Sequence, residues 1–251
     1  MRQKIREARF VATVSDYNRR HLSALVGDGI AARIVRIYNG IDLQRFHFDS
    51  STRELDLVFA AGRLVEKKGF RHLIEACRLL RDRGQKFRCR IMGDGPEQAA
   101  LLAQIQACGL EDRVTLVAAQ TQEQLMNELR RATVFVLPCV VGADGDQDAL
   151  PTVLLEAQAV GLPTISTDLS GIPEIVEHEK TGLLIPPGDP SRLAAALEEL
   201  LGNASLRDRL ARAGRLKAEH RFDVRKNVPM LRRLFEQSAA GAEISIERAA
   251  A

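Results

Sequence analysis

The chain has no tryptophan, and aromatic residues make up only 4% of its 251 residues. A single-strand nucleic-acid platform built on base stacking needs more rings than this, as does a module that grips sugars on aromatic faces. Neither sign of charge is in excess: 36 Lys and Arg face 33 Asp and Glu, too balanced to imply a nucleic-acid partner. No run approaches the roughly 18 apolar residues of a membrane span. The opening Met1-Arg2-Gln3-Lys4-Ile5-Arg6-Glu7 has no apolar stretch of the secretory-leader kind. Cys77, Cys89, Cys108 and Cys139 lie far apart, with no Cys-x-x-Cys and no nearby His pair. The expectation is therefore buried, reduced thiols, a cytoplasmic location and no structural zinc.

What is present is ordinary globular material. At roughly 150 residues per domain the length allows one or two domains. From Leu55 onward a short apolar run, a turn bearing Gly or Pro and a segment of helical spacing recur, the signature of a parallel sheet with crossover helices. The pattern predicts strands at Leu55–Ala60, Phe87–Met92, Arg113–Val117, Thr133–Leu137, Pro163–Ser166 and Gly182–Ile185. It predicts helices at Gly69–Asp82, Pro96–Cys108, Gln122–Arg131, Thr152–Val160 and Ile172–Val176, then Pro190–Leu201, Ala204–Glu219 and Val224–Ser238. Six such strands make one α/β, doubly wound, Rossmann-like domain over residues 51–218, with residues 219–251 as a last helix and a disordered tail.

The first fifty residues read differently. One apolar strand, Phe10–Ser15, precedes a helix near Tyr17–Leu25, the segment Arg33–Tyr38 and the turn Asn39-Gly40-Ile41-Asp42. One strand makes no sheet, so residues 1–50 are expected to be the remnant of another domain, with Asp42–Glu54 as linker.

In an open parallel sheet ligands bind beyond the carboxyl ends of the strands, and the unusual residues cluster there. Gly62-Arg63-Leu64 and Lys67-Lys68-Gly69 follow the first strand of the series, and Gly93-Asp94-Gly95-Pro96 the second. Pro138-Cys139 and a long loop, Val141–Leu150, follow the fourth, and Asp168–Gly171 the fifth. Glycines let backbone approach a ligand, helix amino ends attract phosphate, and paired cations add charge-assisted bonds. These features describe a nucleotide-diphosphate pocket. Gly93-Asp94-Gly95 lacks the third glycine of the dinucleotide fingerprint, and no Gly-x-x-x-x-Gly-Lys-Ser/Thr run occurs, which counts against a nicotinamide enzyme and a P-loop hydrolase. Asp148 and Glu156 flank a helix start; Glu156 falls about one and a half turns inside, where a carboxylate is expensive unless hydroxyls or cations meet it. A solvated face is the other reading of that position.

Taken in order and spacing, these stretches resemble the retaining GT-B glycosyltransferases of glycosyltransferase family four. The matching residues are Asn39–Asp42, Gly62–Leu64 with Lys67–Gly69, Gly93–Pro96, Ala149–Ala157 with Gly161–Thr164, Gly171–Glu174 and Thr181–Leu184, and they span most of residues 10 to 237. The resemblance implies the donor-binding half of an enzyme that moves a hexose from a UDP- or GDP-sugar to a glycan or lipid-linked acceptor. Carried over by position, Arg63 and Lys68 would hold the donor diphosphate, Glu156 the ribose hydroxyls and Asp148 the donor sugar. The resemblance also places Gly62, Gly93, Gly95, Ala149, Leu150, Pro151 and Thr152 at the donor and calls for no metal and no cofactor. The missing first domain, or a partner supplying it, would bring the acceptor.

Departures from the family pattern accompany the match. Asp148 stands where Glu is usual, about 1.5 Å shorter in reach; Cys139 replaces a common Ser and Ala118 a frequent Gly. None of His21, His47, His72, His178 and His220 matches the family's acceptor-side histidine. Two alternatives share the architecture: a non-catalytic nucleotide-sugar-binding module, and a sugar-nucleotide 2-epimerase, whose acids would be placed differently. Arg2, Lys4, Arg6 and Arg9, with Arg207, Arg209, Arg212, Arg215 and Lys217, form basic segments that read either as solvated helix surface or as a loose peripheral contact with anionic lipid at the inner membrane face.

Overall fold

A computed structural model describes residues 1–49 and 53–240. Eight strands and eleven helices are assigned among them. In the first part of the chain these are α1 (Arg2–Glu7), β1 (Val11–Thr13), α2 (Asp16–Ala24), α3 (Asp28–Ala31) and β2 (Ile34–Arg36). The remainder holds β3 (Leu57–Ala61), α4 (Phe70–Asp82), β4 (Arg88–Met92), α5 (Gln98–Ala107), β5 (Val114–Val117), α6 (Gln122–Arg131) and β6 (Val134–Leu137). It continues with α7 (Thr152–Ala159), β7 (Thr164–Thr167), α8 (Ile172–Ile175), β8 (Leu183–Ile185), α9 (Pro190–Gly202), α10 (Ala204–Arg221) and α11 (Val224–Ala239).

The six predicted strands form one parallel sheet in the order β5-β4-β3-β6-β7-β8. Every residue of β3 and β6 is buried, as continuous apolar runs such as Leu57-Val58-Phe59-Ala60 and Val134-Phe135-Val136-Leu137 require of strands covered on both faces. The order reverses between β3 and β6. Because parallel crossovers are right-handed, helices leaving in opposite directions from that point lie on opposite faces, and a crevice opens between the two strand ends. On the two faces α4 packs with α5 and α9, and α7 packs with α10.

Boundaries shift by a residue or two, with local causes. Pro96 lies outside α5, which starts at Gln98 with Glu97 as its N-cap. At α6 the reciprocal capping box of Thr121 and Gln124 fixes the start at Gln122, where the sequence places it.

Three expectations for the chain ends need correction. The first fifty residues hold two strands, not one: Arg33–Tyr38 contains β2, which pairs in parallel with β1, Val11 opposite Ile34. The expected linker Asp42–Glu54 is packed down where it is described. Phe46 is 3% exposed, and Phe48 leans on Gly161 so closely that a Cβ there would meet its ring at 2.2 Å. The last helix is not separate from the first residues. Asn227 Nδ2 donates to the Tyr38 carbonyl at 3.0 Å, Phe235 packs edge-on against Phe10 with ring centroids 5.2 Å apart, and Ile41 bridges to Asp223. Residues 1–41 and α11 thus form one small unit beside the sheet domain. The tail expected to be disordered lies, from residue 241, outside the described residues.

The four cysteines are free thiols, with Cys77, Cys89 and Cys139 buried. The basic segment of α10 is largely engaged within the protein. Arg207 donates to the Leu200 and Leu201 carbonyls, Arg215 to Phe46 and Ala159, and Lys217 pairs with Glu177 at 2.7 Å. Among the described residues no helix is long and apolar enough to cross a membrane.

Candidate active site

The crevice between β3 and β6 gathers the charged residues that the sequence singles out. Beyond β3 the chain turns through Gly62 and Arg63 into a short 3-10 turn, Glu66–Lys68, closed by Gly69 in the left-handed region at φ 68°. That conformation suits glycine, and the fit is tighter still: a Cβ on Gly69 would stand 1.9 Å from the carbonyl oxygen of Pro138, just beyond β6. This backbone contact brings the two rims of the crevice together and sets Lys67 and Lys68 opposite the long loop before α7.

Lys68 Nζ lies 2.6 Å from Asp148 Oδ2, and both side chains are 14% exposed. Lys67 Nζ bridges two carboxylates, Asp146 at 2.9 Å and Asp148 at 3.5 Å. The hydrogen bond to Asp146 is the main cause that raises the Lys67 ammonium above its ordinary range. The Asp146 carboxyl is lowered in turn, first by Lys67 and among smaller causes by the charge of Arg63, which places Arg63 within electrostatic reach of the cluster. Arg63 is exposed, and its side chain has no hydrogen-bonded or ion-paired partner among the described residues. Three cations therefore face two carboxylates, and one of the cations is unengaged.

Two of the departures from the family pattern meet here. Cys139 Sγ donates to Asp148 Oδ2 at 3.5 Å. Burial, followed by the charge of Asp148, pushes the Cys139 thiol far above its ordinary value, so it stays protonated and able to donate. The Asp148 carbonyl accepts from Ser170 Oγ, a residue held at φ 49°, a left-handed conformation uncommon for a side-chain-bearing residue.

Glu156 sits in α7, which begins at Thr152 with Pro151 as N-cap and no side-chain cap, following Ala149 and Leu150. Its half-buried carboxylate has no hydrogen-bonded or ion-paired partner among the described residues. Burial alone pushes its pKa above the ordinary 4.5. A group raised in this way is protonated in both states below that value and costs nothing there; the cost of the buried charge appears as pH rises through the folded value. Glu156→Gln should therefore raise the melting temperature at neutral pH, with the gain vanishing toward about pH 4 in thermal unfolding across a pH series.

The glycines beyond β4 have a packing role. A Cβ on Gly93 would lie 1.9 Å from the Gly62 carbonyl oxygen, and one on Gly95 would lie 2.3 Å from that of Leu64. Leu64 N donates to Asp94 O at 2.9 Å. Gly62, Gly93 and Gly95 thus lock two strand-end turns together on the rim of the crevice.

Sequence reasoning left several residues of this region without a role. Lys67, Asp146, Ser170, Glu174, Tyr17 and Gln147 all join the network, and all but Tyr17 fall in segments that stand out in the sequence at the strand ends or in the family match. Among the described residues no group of three or more His, Cys, Asp or Glu side chains is placed to hold a metal ion.

Residues 44–217 match the family described as Glycosyl transferases group 1, and the chain belongs to that family. It is 38% identical over 203 residues to the amylovoran biosynthesis glycosyltransferase AmsK of Erwinia amylovora, covering 79% of this chain and 50% of that protein. It is 41% identical over 189 residues to the putative colanic acid biosynthesis glycosyltransferase WcaL of Escherichia coli K12, covering 73% and 46%. The chain thus spans about half the length of these curated relatives. Among solved structures, Anabaena HepE in complex with UDP and glucose superposes with a TM-score of 0.80 at 22% identity, covering 92% of this chain and 64% of that one. The sucrose-phosphate synthase of Thermosynechococcus elongatus gives 0.84 at 24%, covering 96% and 61%. The fold is that of the GT-B glycosyltransferases.

Proposed function

We propose that this chain is the donor-binding part of a glycosyltransferase that moves a hexose from a nucleoside diphosphate sugar to a glycan or lipid-linked acceptor, with retention of configuration. The observation that carries the reading is the crevice itself. An unengaged Arg63 and the pair Lys67 and Lys68 lie at the β3 end, and a half-buried, unpartnered Glu156 lies in the helix that starts at the β6 end. A diphosphate supplies the anion that Arg63 lacks and can compete with Asp148 for Lys68, and vicinal ribose hydroxyls supply the donors a half-buried carboxylate lacks. Arg63, Lys68 and the uncapped amino end of α7 would stabilise the charge on the departing nucleoside diphosphate.

Relatives support the setting. AmsK is named for amylovoran biosynthesis and WcaL for colanic acid biosynthesis, and a Mycobacterium tuberculosis relative, 33% identical over 226 residues, is named a GDP-mannose-dependent alpha-(1-6)-phosphatidylinositol monomannoside mannosyltransferase. HepE is described with UDP and glucose. Polysaccharide or glycolipid assembly fits both. Because the matched stretch is only about half of AmsK and of WcaL, the acceptor would be held by a further domain or by a partner, and transfer by the 251-residue chain alone is expected to be negligible.

Calorimetric titration of the chain with UDP and with GDP tests the proposal and reads the base. Binding of one or both is expected, with Arg63→Ala and Glu156→Ala each weakening it by about tenfold or more, the size of a lost charge-assisted hydrogen bond. No binding of either nucleotide, or variants indistinguishable from the parent, would overturn the donor site. Sugar transfer by the isolated chain would overturn its reading as a donor half.

A further inference from the structure

The loop that carries Asp148 is held partly by residues far away in sequence. Gln147, immediately before Asp148, donates from Nε2 to the hydroxyl of Tyr17 at 3.0 Å, across 130 positions of chain. Tyr17 opens α2 in the small unit, and its backbone is fixed from the sheet domain. Glu174 Oε1 accepts from Tyr17 N at 2.8 Å, while Glu174 Oε2 accepts from Asp16 N at 2.8 Å and from the Tyr38 hydroxyl at 2.9 Å. The same corner is closed by Gly171, where a Cβ would lie 2.2 Å from the Ala149 carbonyl oxygen and 3.0 Å from Ser15 Cβ. Glu174 therefore fixes the start of α2, α2 aims the Tyr17 ring, and the ring's oxygen anchors the residue next to Asp148.

We infer that Tyr17 is a positioning residue for the donor loop: by accepting from Gln147 it sets where the Asp148 carboxylate stands in the crevice. The inference rests on the donor-site reading above and adds that the small unit contributes to how the sugar, rather than the diphosphate, is held. The two are anchored by different contacts, although Lys68 and Asp148 also pair with each other. Arg63 and Lys68 are set by the β3 turn and the Gly69 contact with Pro138, neither of which involves Tyr17. Asp148 lies in a loop whose approach to its own helix is fixed from outside by Ser170 and Tyr17. Loss of the tyrosine oxygen removes one acceptor at the surface of that loop and leaves the backbone bonds of Glu174 to Asp16 and Tyr17 intact.

The experiment compares each nucleoside diphosphate with its hexose conjugate, UDP against UDP-glucose and GDP against GDP-mannose, by calorimetry on the 251-residue chain. The readout is the ratio of the two dissociation constants, the gain due to the sugar. Tyr17→Phe and Gln147→Met should each reduce that gain roughly three- to tenfold, the scale of one hydrogen bond, with affinity for the bare diphosphate within about twofold. The double variant should be no worse than either single one. Tyr38→Phe removes a hydrogen bond to the same Glu174 without touching the loop and should keep the gain. Tyr17→Phe with an unchanged gain, singles that multiply in the double, an equal loss in Tyr38→Phe, or a parent with no gain from either sugar would each overturn the assignment. Failure of the parent to bind both UDP and GDP would instead remove the donor site itself, and the inference with it.

Discussion

Lys68→Ala should weaken nucleoside diphosphate binding by roughly ten- to a hundredfold, the largest loss expected of any single side chain in the crevice. The reason lies in how the charge is arranged. Lys68 is largely buried and already paired to Asp148 at 2.6 Å. It therefore presents a desolvated ammonium held in place, and pre-organised charge in a water-poor site interacts more strongly than a flexible surface lysine. The second cation, Lys67, is divided between Asp146 and Asp148 and is poorly placed to substitute. Asp148 stands where an incoming anion would compete for the same ammonium. Asp148→Asn should accordingly shift affinity for bare UDP or GDP in the opposite direction, tightening it a few fold. Calorimetry on the two variants checks both signs, and a Lys68→Ala protein that binds as well as the parent would show that the diphosphate sits elsewhere.

Gly69→Ala should be the most damaging single-methyl change in the fold. Two costs coincide: a left-handed backbone that disfavours a side chain by about 1–2 kcal/mol, and a Cβ placed 1.9 Å from the backbone oxygen of Pro138. Together they should exceed about 4 kcal/mol and lower the melting temperature by roughly 10 °C for a protein of this size. Gly84 provides the comparison. It too has positive φ, at 73°, but nothing lies within 4 Å of its missing Cβ, so Gly84→Ala should cost only the backbone preference. Thermal unfolding of the pair separates the two contributions. Equal shifts would mean that Pro138 yields easily and that the two rims are not locked.

The contrast between these glycines shows what the sequence could and could not convey. The six-stranded sheet was readable because its signals are local: apolar runs such as Leu57-Val58-Phe59-Ala60, punctuated turns and helical spacing recur within thirty or so residues, and the right-handed crossover rule does the rest. The positions of Arg63, Lys68, Asp148 and Glu156 at the carboxyl edge follow from that sheet. Gly93 and Gly95 stood out as glycines, but an approach to a ligand and an approach to the carbonyls of Gly62 and Leu64 leave the same mark in a sequence. The strand β2 escaped notice because Ile34-Val35-Arg36 is three residues long, and its partner lies across two helices. The bond between Gln147 and Tyr17 carries no local pattern at all, since both are ordinary polar residues whose meeting depends on Glu174 holding a third element in place. The packed segment around Phe46 looked like a linker because its anchoring comes from Arg215, far along the chain.

The pairing of Ile41 with Asp223 has a mechanical consequence. The polypeptide enters the sheet domain and leaves it at adjacent points, with Ile41 N bonded to Phe222 O at 2.8 Å and Val224 N to Ile41 O at 3.1 Å. Gly40 lies against Val224 there, leaving no space for a side chain between the two passes. Two covalent connections side by side act as the two leaves of a strap. A side chain added at Gly40 would therefore press on both passes at once, the one entering the sheet domain and the one leaving it.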